Sequence, residues 1–141
     1  MKIIETNLSN FIEEIHTSKN GTFYFFKDFI VSEINQGAII NWETVQEIIN
    51  MATDYYGENP QICYISNRIN PYSINPIDWN IFFKSGKRLN GYAIVSYTEN
   101  GWLNALIEKL FYNSKIARFK NLFEAISWVK EINYNATKNN T

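Results

Sequence analysis

A chain of 141 residues suits one domain, and 45% apolar content is ordinary for a globular core. One cysteine excludes an internal disulfide framework and multi-cysteine zinc sites, and one histidine, His16, is left for any His-dependent catalytic arrangement. Thirteen basic against fourteen acidic residues give a net charge of −1, so no broad field favours nucleic acid or anionic lipid.

From the start of the chain, Ile3-Ile4 is interrupted by Glu5, and no uninterrupted apolar run exceeds four residues. No signal peptide or membrane span is therefore expected, and the cytoplasm is the expected compartment. Asn20-Gly21, two residues tolerant of positive φ, lies between the β-prone runs Phe11 to Thr17 and Thr22 to Phe26 and predicts a hairpin. The capping-box spacing of Asn10 and Glu13 offers a short helix as the competing reading. After Lys27-Asp28, Phe29 to Ile34 reads as the next strand, ended by Gln36-Gly37.

From Asn41 the period changes. Asn41 is a good N-cap, Glu43 suits the first turn, and Val45, Ile48, Ile49 and Ala52 share one face of an amphipathic helix to about Tyr55. Gly57 and Pro60 close it. Ile62-Cys63-Tyr64-Ile65 is a continuous apolar run, as expected of a strand covered on both faces. The polar stretch Ser66 to Asn75 reads as a long connection. Asn75, Pro76 and Asp78 then announce a second helix to about Gly86. Tyr92 to Val95 is another buried-type strand, Gly101 to Tyr112 a third helix, Ile116 to Phe119 a short strand and Asn121 to Ile132 a last helix. The residues from 133 to 141 read as a polar, fraying tail.

This alternation predicts one α/β domain over 1–132, with a mixed, mainly parallel sheet, an N-terminal antiparallel hairpin and about four helices. In such sheets ligands sit outside the carboxyl ends of the strands. The residues expected there are Ser66, Asn67 and Arg68, with Ser96, Tyr97, Thr98 and Asn100: hydroxyls, amides and one cation, but no evident base. His16 is expected on a solvent-facing strand position outside the alternation, and Cys63 inside the core. No metal or cofactor motif is present: Gly86-Lys87-Arg88 lacks both the first glycine and the hydroxyl residue of a phosphate loop.

Tyr92-Ala93-Ile94-Val95, the helix with Leu103, Leu106 and Ile107, Ile116-Ala117-Arg118-Phe119 and Phe123-Glu124-Ala125-Ile126-Ser127-Trp128-Val129 together resemble the SpoIIAA-like group, whose fold is shared by STAS and SEC14-type domains. The group often ends in a strand finishing with Phe, a short turn and a helix reading Glu-Ala-x-x-Trp-Leu; Val129 stands in the last place. Gly37-Ala38-Ile39-Ile40-Asn41 fits its first strand–helix passage. The resemblance implies a non-enzymatic regulatory or protein-interaction domain, or alternatively a carrier of a small apolar or lipid ligand. The partner would be a protein, such an apolar ligand, or a second copy of the chain. For the carrier reading, the aromatic pairs Tyr55-Tyr56 and Phe82-Phe83 are the expected cavity lining. STAS-type antagonists carry a phosphorylatable serine within Asp-Ser-Ser-Gly; the nearest hydroxyl here is Ser73, in Tyr72-Ser73-Ile74-Asn75-Pro76, without the adjoining Asp or Gly.

Overall fold

Continuous burial along short β-prone runs, packed between two long amphipathic helices, builds a sheet with both faces covered. The structure is a computed structural model and describes residues 1–70, 73–74, 89–97 and 116–139. Two short 3-10 turns, Ile3–Glu5 and Asn7–Phe11, precede β1 (Glu14–Ser18), β2 (Gly21–Phe25), β3 (Phe29–Ile34), β4 (Ile39–Ile40) and α1 (Trp42–Tyr56). Then come β5 (Cys63–Arg68), β6 (Ser73–Ile74), β7 (Gly91–Ser96), β8 (Ile116–Phe119) and α2 (Leu122–Asn139). Six strands form one sheet in the order β1-β2-β3-β5-β7-β8, antiparallel from β1 to β3 and parallel from β3 to β8. β4 and β6 pair separately and in parallel. The expected mixed sheet with its N-terminal hairpin is what forms. Two α-helices lie among the described residues; the helices expected near 75–86 and 101–112 fall outside them.

The hairpin forms where Asn20-Gly21 predicts it, but for a different reason. Lys19 and Asn20 make the two-residue loop without positive φ, and Gly21 is the first residue of β2. A Cβ on Gly21 would stand 2.6 Å from the Glu33 carbonyl oxygen, so close approach of β3 demands the glycine. The short helix competing for this region is limited to the 3-10 turn at Asn7–Phe11.

α1 starts as its sequence promises, with the Asn41 side chain accepting the Thr44 N–H at 3.0 Å. It ends at Gly57, whose φ of +100° no L side chain adopts readily. Its apolar stripe (Val45, Ile48, Ile49, Ala52) packs on Phe23, Phe25, Ile30, Ile34, Tyr64 and Tyr92, one face of the sheet. The other face, with Tyr24, Phe29, Val31, Cys63, Ile65, Ala93 and Val95, is covered by Leu122, Ala125, Ile126 and Val129 of α2 and by Ile3 from the first turn.

Two sequence expectations need correction. The region from Asn133 is not a tail: α2 continues to Asn139. Asn133 is buried, donating to the Asp28 carbonyl at 2.8 Å and accepting from Asn90 at 2.9 Å. A polar residue satisfied by the ends of two strands extends the helix where hydropathy alone stops it. Nor is Ser66 the start of a loop, because β5 runs on through Arg68.

Candidate functional site

The carboxyl ends of β3, β5, β7 and β8 lie side by side, and strand alternation sends their polar side chains to opposite faces. Ser66, Arg68 and Ser96 share the α1 face, whereas Asn67 belongs to the α2 face. A site assembled as one cluster from the sequence is therefore two half-sites separated by the thickness of the sheet.

On the α2 face the polar groups are consumed by the chain itself. The Asn67 side chain, 1% exposed, donates to Glu33 Oε2 at 2.8 Å and to the Met1 carbonyl at 2.9 Å. Its Oδ1 accepts the Tyr97 hydroxyl at 2.8 Å. Glu33 Oε2 also accepts the Ile3 N–H at 2.7 Å, a charge-assisted bond to a carboxylate that is itself buried. This network straps residues 1–3 across the strand ends and seats Ile3, fully buried, against the core. Burial first, then the negative charges of Glu33 and Glu5, push the Tyr97 phenol above its ordinary range, so it stays a donor at neutral pH. Glu33 was not singled out by sequence reading. The available signal was an acid inside the otherwise apolar run Phe29-Ile30-Val31-Ser32-Glu33-Ile34, which side-chain alternation places opposite the α1 helix.

On the α1 face the row runs Ser32, Ser66, Ile94, Arg118 across β3, β5, β7 and β8, and one pleat further on Arg68 stands opposite Ser96. Arg68 Nε donates to Ser66 Oγ at 3.2 Å, and Arg118 Nη2 donates to Ser96 Oγ at 3.5 Å. Both guanidinium groups are thus drawn over β5 and β7, beyond the aromatic floor made by the stacked Tyr64 and Tyr92 rings, 5.5 Å apart. Ser32, Ser66 and Ser96 are buried, while the two arginines are half-buried. Arg118 lies in a short apolar strand by sequence; its place in the row follows from the register of Ile116 with Tyr92.

The other sequence-derived candidates fall elsewhere. Ser73 lies on β6, opposite Ile39 in the small second sheet. Thr98 and Asn100, like Phe82-Phe83, lie outside the described residues. The Tyr55 and Tyr56 rings meet edge to face, 4.9 Å apart. Tyr56 stacks on Phe25 at 5.6 Å and donates its hydroxyl to the carbonyls of Phe26 and Phe29, and Tyr55 donates to Glu13 at 2.7 Å. His16 is half-buried on β1, its ring 4.5 Å from that of Phe25 and its Nε2 3.5 Å from Glu14. In register it shares a row with Phe23, Ser32 and Ser66, three strand spacings or about 14 Å from Ser66. That separation precludes a hydrogen-bonded His–Ser pair. Among the described residues no group of three or more His, Cys, Asp or Glu is placed to hold a metal ion, and no helix is long and apolar enough to cross a membrane.

No family model matches the chain, and no curated protein matches it significantly. A solved structure from Shewanella loihica is similar in three dimensions, with a TM-score of 0.52 at 14% identity over 82% of this chain and 90% of that one. That protein is an uncharacterised member of the DUF3478 family, described as having a SpoIIAA-like fold. The fold of this chain is SpoIIAA-like. Within the SpoIIAA-like sheet, the half-site on the α2 face serves to hold the chain's own first residues, and the half-site on the α1 face gathers two cations over buried hydroxyls.

Proposed function

We propose that the chain is a non-enzymatic regulatory domain that docks an acidic surface of a partner protein at the α1-face corner of its strand ends. The observation that supports this reading is the pairing of Arg68 and Arg118 over Ser66 and Ser96. A planar guanidinium presents five donors, so it can hold a serine and a carboxylate together. The Glu33 carboxylate is turned to the opposite face, where Asn67 and the Ile3 N–H bond to it.

The test is affinity capture at native expression, comparing the wild-type chain with Arg68→Glu/Arg118→Glu. A specific partner should be retained by the wild type, released as salt rises, and lost from the variant, with cooperative melting by circular dichroism confirming that the variant folds. Turnover of a metabolite by the purified chain, with no partner captured, would overturn the reading. A co-purifying lipid in native mass spectrometry would replace it with the carrier function.

A further inference from the structure

We propose that two copies of this chain associate through β1, antiparallel about a twofold axis at His16, joining their sheets into one. β1 is the outer strand of the six-stranded sheet, and among the described residues nothing pairs with its far side. The phase of its main chain follows from the hairpin. Ser18 and Gly21 close the two-residue loop and exchange hydrogen bonds, and bonded pairs alternate along an antiparallel ladder, so His16–Phe23 and Glu14–Phe25 are bonded too. The N–H and C=O groups of Ile15 and Thr17 consequently point away from β2. An exposed edge of this kind is a template for another strand.

The sequence of the edge is complementary to itself. His16 is the midpoint of β1, so a twofold there pairs all five of its residues. Ile15 of one copy meets Thr17 of the other in a bonded pair, twice, which places four β-branched side chains together on one face. Ile15, 51% exposed in the single chain, gains cover. Just beyond the strand, Glu13 of each copy comes opposite Lys19 of the other, so the charges at both ends of the seam are opposite in sign. The Glu13 N–H already donates to the Phe25 carbonyl at 2.7 Å, which ends the seam there. Five pairs make a small interface beside the ~1,200 Å² of a stable complex, so the association belongs to the weak, reversible class.

Register-specific crosslinking tests this in the full chain. In this arrangement His16 faces its own copy in a non-bonded pair with Cα atoms about 4.5 Å apart, within disulfide range. Residues at 17 face position 15 instead, and their own Cα atoms lie beyond the ~7 Å limit. His16→Cys should oxidise to a covalent dimer, Thr17→Cys should lag it at least about tenfold in rate, and Cys63, being buried, should not contribute. Adding Thr17→Pro to His16→Cys removes an outward N–H that β2 does not use, and should abolish crosslinking while the melting curve stays cooperative. Sedimentation of the wild type should show weight-average mass rising with concentration. A strictly monomeric wild type, failure of His16→Cys to crosslink, or equal crosslinking at positions 16 and 17 would each overturn the proposal.

Discussion

The two faces of the sheet end differently at the same strand termini. On the α2 face, Glu33, Asn67 and Tyr97 bond to one another and to the backbone of Met1 and Ile3, and the strand ends are closed by the chain's own beginning. On the α1 face, Arg68 and Arg118 reach over serines at the margin of an aromatic floor. One pleat of a β-strand separates Asn67, bonded to Glu33 and Met1, from Arg68, bonded to Ser66 on the other face. Hydroxyls and amides gathered at strand ends are therefore not a site until the face of each is known.

Glu33→Ala carries the largest expected effect on the α2 face. It leaves the Ile3 N–H and an Asn67 donor unsatisfied in the interior, so a loss of about 2–4 kcal/mol is expected in urea unfolding, together with proteolytic exposure of the first residues. A neutral outcome would make the α2 face as dispensable to stability as an open site. Gly91→Ala probes the same face by packing. A Cβ there would lie 3.1 Å from the Trp128 ring and 3.3 Å from Cys63 Sγ, and a cost of about 1–3 kcal/mol should appear as a lower melting midpoint. Tyr97→Phe removes one hydroxyl from the network and should cost about 1 kcal/mol by the same unfolding assay.

The smallest effect concerns pH and the α1 side. The Tyr56 phenol is pushed well above the ordinary tyrosine value of 10.0, first by burial and then by the charges of Tyr55, Glu13 and Asp28. A group whose pKa is higher in the folded state contributes fully below its unfolded value and loses that contribution as pH rises through the window above it. Stability should therefore be level below pH 10.0 and decline above it. Tyr56→Phe should flatten that decline in urea midpoints measured across the alkaline range, even though Tyr24 and Tyr97, whose phenols are also raised, continue to contribute.

Most of the described fold was legible because its signals are local. Asn41 before an i, i+3, i+4, i+7 stripe and the apolar run Ile62-Cys63-Tyr64-Ile65 each place an element without long-range information, whereas Gly21 marks the hairpin because β3 approaches it. The candidate site was legible only as a list of residue types. Ser66-Asn67-Arg68 reads as a loop because three polar residues follow an apolar run, yet β5 continues through them. What admits Asn67 to the interior is Glu33, 34 positions before it, and the carbonyl of Met1, 66 positions away. The end of α2 was misread for the same reason: Asn133 is buried because Asp28, 105 positions away, offers it a carbonyl.

Local patterning alone implies a mixed α/β sheet with a leading hairpin and a closing amphipathic helix, because backbone propensity and the periods of hydrophobic burial act over a few residues. Which face of the sheet each polar side chain takes, and which distant groups it bonds, followed only from tertiary structure. Satisfaction of a buried hydrogen-bonding group depends on partners that the chain brings from far along its length, and no local pattern carries that information.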